Sequence, residues 1–244
     1  MTTSTAIRRE QTQWFSPALH REMEVLVYGH AGTPVLVFPT SKGRVHEFEE
    51  HGMVDAVASS LEKGRYRLVC VDSIDAESWL NQELSPRERV VRHSAFERYV
   101  LEEVLPFIRP LNGTGKLWVA GCGFGGYHAV NFTLRHPDCV DGCLSISGSF
   151  DVRSLMPGFS DVELYYHNPM EYLPNLTDEW FLHLYRTKVE FILATGEWDF
   201  CLDANLALSK IFDSKGVRHW LDVWGDHTRH DWPWWQRMIH KFLA

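Results

Sequence analysis

The chain has 244 residues, 45% of them apolar and 23% charged, a length and balance that suit one soluble α/β domain spanning residues 1–244. Its formal net charge of −8 argues against holding a nucleic-acid backbone by charge alone, and no stretch reaches the roughly 18 apolar residues a membrane span needs. The cysteines at 70, 122, 139, 143 and 201 are odd in number and form no CxxC, which reads as buried free thiols in a reducing compartment and not as a disulfide framework. The opening MTTSTAIRREQTQW carries no apolar h-region, so the expected location is the cytoplasm.

The first fifteen or so residues are polar and read as the start of an edge strand. Met23–Tyr28 is a strand, Gly29–Pro34 a turn, and Val35–Phe38 a short, wholly apolar strand of the kind covered on both faces. Glu47–Leu61 reads as one helix with Met53, Val54, Val57 and Leu61 on a single face. Tyr66–Val71 is a strand. Pro86 to about Leu105 is a long helix, capped by Ser85 with Glu88 completing a capping box and ended or kinked by Pro106. Lys116–Ala120 is a strand, Gly126–Arg135 a helix, Cys139–Ser147 a strand, Phe181–Arg186 a helix, Val189–Thr195 a strand, Asp203–Ser214 a helix, Arg218–Val223 a strand, and Trp232–Leu243 a closing helix. This alternation gives a mostly parallel central sheet with helices on both faces, joined by right-handed crossovers. Only residues 150–177, rich in turn residues and aromatics, break the rhythm, as a lid or pocket wall over the strand ends would.

The most informative stretch is Trp118-Val119-Ala120-Gly121-Cys122-Gly123-Phe124-Gly125-Gly126-Tyr127-His128-Ala129. An apolar strand runs into a glycine-rich turn and straight into a helix, the context of a G-x-S-x-G nucleophile elbow. The small residues stand at 121 and 125, where so sharp a turn needs them. The serine does not: position 123 is glycine, which has no hydroxyl to form an acyl-enzyme. Glycine tolerates the strained backbone of such an apex, so the turn should hold with about 1 kcal/mol less strain than with serine. Cys122 is the nearest other nucleophile. Its side chain should point into the strand–helix packing, beside the pocket.

Those residues, with Val37-Phe38-Pro39-Thr40-Ser41, Cys70-Val71-Asp72-Ser73, His136-Pro137-Asp138, Ser147-Gly148, Thr195-Gly196-Glu197-Trp198-Asp199 and His230-Asp231-Trp232-Pro233-Trp234-Trp235, resemble the esterase family of α/β-hydrolases related to esterase D and S-formylglutathione hydrolase, over nearly the whole chain. More narrowly, it resembles a bacterial branch with GCSFGGYHA at the elbow. The resemblance implies the α/β-hydrolase fold and a carboxylic ester hydrolase scaffold with serine expected at 123.

In this fold the acid and then the histidine follow the nucleophile. Asp199, after the apolar run Phe191–Ala194, is the acid. His230 is preferred as the base; His227 is a pocket residue or a solvated loop histidine, and His128 packs or caps. The oxyanion donors expected are the Phe124 N–H and, because Pro39 cannot donate, that of Thr40 or Ser41. Asp72, Ser73, Trp79, Cys122, Trp198 and His227 are candidates for the pocket. No metal-ligand spacing is evident, and nothing calls for a cofactor. The expected partner is a small ester-like molecule; a homo-oligomer stays open.

Three functions are compatible with this reading. The first is an esterase-family protein that is hydrolytically inactive or strongly impaired; a natural variant and an engineered Ser→Gly form would have the same sequence. The second is a non-hydrolytic enzyme that uses His230 and Asp199 as a general base beside the oxyanion hole. The third is a pseudoenzyme that binds a ligand or a partner.

Overall fold

The computed structural model describes residues 7–244; the part of the expected edge strand that falls on residues 1–6 lies outside them. Eight strands form one sheet in the order β1-β2-β4-β3-β5-β6-β7-β8. They are β1 (Arg9–Ser16), β2 (Arg21–Tyr28), β3 (Thr33–Phe38), β4 (Tyr66–Val71), β5 (Trp118–Cys122), β6 (Gly142–Ile146), β7 (Glu190–Gly196) and β8 (His219–Trp224). β1 pairs antiparallel with β2, and β2 antiparallel with β4. Every later pairing is parallel, from Val35 opposite Leu68 in β3–β4 to Ala194 opposite Asp222 in β7–β8. This is the α/β-hydrolase fold.

The wholly apolar strands follow from burial on both faces. Leu36, Phe38, Val69, Val71, Val119, Phe191 and Leu193 join one core. Their sequence neighbours Val35, Val37, Leu68, Cys70, Ala120, Ile192 and Ala194 join the other. The split is the two-residue period of a strand, with two helical layers to receive it. The first layer contains α4 (Pro86–Tyr99), α6 (Phe124–Arg135), α9 (Glu179–Thr187) and α10 (Leu202–Ser214); the second contains α1 (Glu47–Glu50), α2 (Met53–Ala56), α3 (Ala58–Glu62) and α11 (Trp232–Leu243). α11 turns Trp235, Met238, Ile239 and Leu243 inward, a spacing that keeps one helical face apolar.

Two expected helices are modified. Glu47–Leu61 is three short helices, broken first at Gly52, left-handed with φ 66°, and again at Val57, which leaves the helical region at φ −115° and ψ 12°. The helix from Pro86 carries the expected capping box. It widens into a π turn over Val100–Val104 and resumes as α5 (Leu105–Ile108). The wider turn makes room for the ring of Pro106, which would collide with the carbonyl four residues back in a regular helix. Residues 150–177 are structured, with α7 (Val162–Tyr166), α8 (Pro169–Tyr172) and two 3₁₀ turns. Val152, Met156 and Leu164 root this segment in a small core with Trp79, Val90 and Tyr127.

Candidate active site

The centre of the site is the turn between β5 and α6. Gly123 sits there with φ 57° and ψ −121°, a conformation costly for any residue with a side chain. Its N–H donates to the Ile146 carbonyl at 2.9 Å, which ties the apex to β6. The flanking glycines are required by close approach. A Cβ on Gly121 would lie 2.2 Å from the Gly125 carbonyl oxygen, and one on Gly125 would lie 2.3 Å from that of Phe38. A Cβ on Gly123 would meet something different: it would stand 3.2 Å from His230 Nε2 and 3.8 Å from the Trp235 ring. The apex therefore faces an imidazole.

That imidazole is paired. His230 Nδ1 and Asp199 Oδ1 are 2.9 Å apart, bringing together the end of β7 and the loop after β8. With Nδ1–H donating to the carboxylate, Nε2 keeps its lone pair on the side of Gly123. The Asp199 side chain is fully buried, whereas that of His230 is 19% exposed. Burial pushes the Asp199 carboxyl upward, but stabilisation by His230, the Ser147 hydroxyl and the Cys201 N–H outweighs it and leaves the group below its ordinary range. The Cys201 bond is 2.8 Å. Ser147 acts on Asp199 at a geometry short of a full hydrogen bond, since Oδ2 has no direct partner.

Several neighbours were not anticipated in these roles. Trp235 Nε1 donates to Ser147 Oγ at 2.9 Å, and its ring meets His230 edge to face at 4.8 Å. Phe200, 79% exposed, stacks on the other side of His230 at 4.1 Å. Ser147 itself has φ 55°. Contacts such as Trp235–Ser147 join positions far apart in the chain and leave no local signal; only Trp235 and Ser147 lie in stretches already notable in the sequence.

The oxyanion candidates are sorted by their hydrogen bonds. The Phe124 N–H belongs to the first turn of α6, where amides have no intrahelical acceptor. The Thr40 N–H donates to Glu47 Oε2 at 2.7 Å, so the expectation that Thr40 could supply the second donor is corrected: its amide is already committed. Ser41 is exposed, and among the described residues its N–H donates to no protein acceptor. The loop holding it packs on the elbow, where the Phe38 and Pro39 carbonyls face Gly125.

Three pocket assignments are corrected as well. Asp72 is buried and accepts from Arg44 Nε and Val45 N, each at 2.9 Å; it braces a loop. Trp79 is fully buried beneath residues 150–164. Cys122 is fully buried in the second core, and burial raises its thiol well above the ordinary range. Ser73 is half-buried, its hydroxyl accepting from Asp75 N at 2.9 Å. Trp198 is exposed and meets the His227 ring at 3.9 Å with the planes tilted by 40°, and Arg229 lies over its ring. The His227 N–H donates to Glu197 at 2.7 Å, and its ring does not reach Asp199; His230 does.

Asp199, Cys201 and His230 place possible ligand atoms within 4.8 Å of one another. The carboxylate is already an acceptor for both other residues, and burial, the main cause, pushes the Cys201 thiol up to about 12. The set is arranged for hydrogen bonding around a carboxylate. The cysteines are unpaired, and among the described residues no helix is long and apolar enough to cross a membrane.

The fold is shared with solved hydrolases. A ferulic acid esterase superposes with a TM-score of 0.76 at 17% identity, over 97% of this chain and 96% of its own. A Staphylococcus aureus fluorophosphonate-binding serine hydrolase, solved with substrate bound, gives 0.76 at 14% identity, over 98% of each chain. An S-formylglutathione hydrolase from Agrobacterium tumefaciens gives 0.73 at 14%, over 97% of this chain and 93% of its own. No curated protein sequence matches. The sequence profile of the family described as "Putative esterase" matches residues 16–243, and the chain belongs to that family.

Proposed function

We propose that this protein is an esterase-family scaffold that binds small ester-like molecules but lacks the acyl-enzyme step, because the nucleophile position is Gly123. The observation that carries this reading is the 3.2 Å between His230 Nε2 and a Cβ built on Gly123: a serine there would present its hydroxyl to a base already held by Asp199. In such a site the hydroxyl attacks the ester carbonyl, His230 takes its proton, Asp199 stabilises the imidazolium, and two amides bind the oxyanion. Here the amides are those of Phe124 and Ser41. Glycine leaves the base and these donors in place and removes the atom that would form the new bond. The pocket wall is the part of residues 150–177 that packs in one cluster with Phe124, through Val152, Met156 and Leu164, and the rim carries Trp198, Phe200 and His227. The similar hydrolase solved with substrate bound supports a ligand-binding reading, and the unpaired cysteines support a reducing, cytoplasmic location.

The test is Gly123→Ser, assayed on short-chain p-nitrophenyl esters beside the chain as it stands. The substituted protein should hydrolyse them at least ~10³-fold faster, by analogy with the residual activity left when triad members are removed. Equal rates for the two proteins would refute the proposal. The intact His230–Asp199 bond favours a second reading, in which His230 activates water directly. That reading requires slow turnover by the unaltered chain that disappears in His230→Ala.

A further inference from the structure

The sheet ends at β1 on one side and at β8 on the other, and the two edges are built differently. β1 is guarded by charge: Arg9 and Glu10 are exposed, and Arg9 binds Glu49 at 2.9 Å. Charged side chains of this kind keep a sheet edge from pairing with another chain. β8, His219-Trp220-Leu221-Asp222-Val223-Trp224, carries one formal charge, Asp222, which Lys241 holds at 2.8 Å. Trp220 and Val223 are 49% and 42% exposed.

The ladder decides which backbone groups of β8 are open. The Trp224 carbonyl accepts from the Glu197 N–H at 2.8 Å, so it faces β7. In a parallel pair, a residue that bonds its neighbour does so through both its N–H and its C=O, and alternate residues face the other way. Trp220, Asp222 and Trp224 therefore bond β7, while His219, Leu221 and Val223 present their N–H and C=O groups to the open side. Among the described residues, no strand lies beyond β8 to meet them. His219 Nδ1 lies 3.0 Å from the Val217 carbonyl and occupies it, so the open edge begins at His219.

We propose that the β8 edge is a self-association surface whose occupant is β8 of a second copy of this chain, antiparallel and centred on Leu221. A two-fold axis relates the copies, so each facing pair occurs twice. Leu221 then faces its own counterpart, His219 faces Val223, and Trp220 faces Asp222. The pairs of open residues exchange about six hydrogen bonds. Charge supports this register. Lys241 lies 4.8 Å over its own Trp220 ring, so each Asp222, opposite Trp220 of the second copy, gains a second ammonium. The exposed Arg218 comes opposite Trp224 of the second copy, whose carbonyl is tied to Glu197. The neighbouring registers fail. Centring on Asp222 sets two carboxylates face to face, and centring on Trp220 sets Val223 against Val217, whose carbonyl is already used. The edge is complementary to its own reverse, which names the second copy as the occupant.

Sedimentation velocity on the full chain should show a monomer–dimer equilibrium within about 1–100 µM. Val223→Pro removes an open-side N–H and leaves the β7 bonds alone, as proline at a sheet edge does; it should weaken the dimer at least about 30-fold. Oxidation gives a second readout. Facing hydrogen-bonded residues lie about 5.5 Å apart at Cα, within disulfide range, so Leu221→Cys should cross-link into a covalent dimer. Val223→Cys should not, because its counterpart lies about 14 Å away along the strand; the native cysteines are common to both variants. A chain that stays monomeric throughout that range would overturn the proposal, even if its β8 edge paired with a chain of different sequence. So would a dimer that Val223→Pro leaves intact, or one that cross-links faster through Val223→Cys than through Leu221→Cys. If Val223→Pro fails to fold, the two cysteine variants decide.

Discussion

The molecule contains two Asp–His pairs of equal length, joined through different ring nitrogens. His230 Nδ1 and Asp199 are 2.9 Å apart, and so are His128 Nε2 and Asp75. The surroundings separate them. His230 is 19% exposed at the side chain and turns its second nitrogen toward the elbow apex. His128 and Asp75 are 4% and 1% exposed, and His128 is enclosed by the rings of Phe38, Phe96 and Phe124 and by His93, whose centroid is 5.4 Å away. The same pair of side chains can thus serve a ligand or serve the fold. What decides is whether the nitrogen opposite the carboxylate meets space that a substrate can enter.

Removing each histidine should expose this difference. In a Gly123→Ser background, His230→Ala should cut kcat/KM for p-nitrophenyl acetate by ~10⁴-fold, the scale of losing a triad member, with little change in unfolding free energy. His128→Ala should do the reverse. It strands the carboxylate of Asp75, whose Oδ2 already lacks a partner, and a buried charge left alone costs about 3–5 kcal/mol. Urea unfolding measures that loss. A His128→Ala protein as stable as its parent, or one as inactive as His230→Ala, would erase the distinction.

The sequence displayed much more of the frame than of the site's immediate surroundings. Tyr66–Val71 and Trp232–Leu243 are read to the residue, because continuous apolar runs and a capped amphipathic helix are local patterns. Asp199 and His230 are legible from their places after β7 and β8. The errors concern residues captured by distant partners. Asp72 is engaged by Arg44, 28 residues earlier, and Trp79 is covered by residues more than seventy positions later. Thr40 lies in a loop that suits an oxyanion donor, but Glu47, seven residues on, takes its amide. Cys122 shows the limit in one residue: strand alternation already points it inward, and proximity in sequence to the apex does not bring it into the site.

The enclosed region should also be the more sensitive to acid. His93 and His167 are pushed well below the ordinary histidine range, in both cases chiefly by burial. His93 faces His128 and His167, with Arg135 also opposing its protonation and Glu97 favouring it. His167 is opposed in the same way by Arg135, His128 and His136. In the unfolded chain both titrate near 6.5. Above that pH neither state is protonated and the full stability is present. Below it the unfolded chain takes up protons that the folded chain refuses, so stability falls. Two such groups give a slope of up to about 2.7 kcal/mol per pH unit. Unfolding free energies between pH 7 and 5 test this; a double His93→Gln, His167→Gln protein should show a flatter profile, and an unchanged slope would locate the acid sensitivity elsewhere.

The smallest effect returns to the apex and runs against activity. Gly123→Ser should restore the nucleophile and still destabilise the protein by about 1 kcal/mol, because φ 57° and ψ −121° suit glycine and strain serine. Part of that cost is steric. At 3.2 Å from the new Cβ, the His230 ring must give way slightly, against the Phe200 and Trp235 rings that flank it. Phe200 is largely exposed and yields more readily than Trp235, which is anchored to Ser147. Phe200→Ala should therefore reduce the destabilisation caused by Gly123→Ser, a coupling that a double-mutant cycle in urea reads directly. Strict additivity would place the strain in the backbone alone and leave the imidazole free of it.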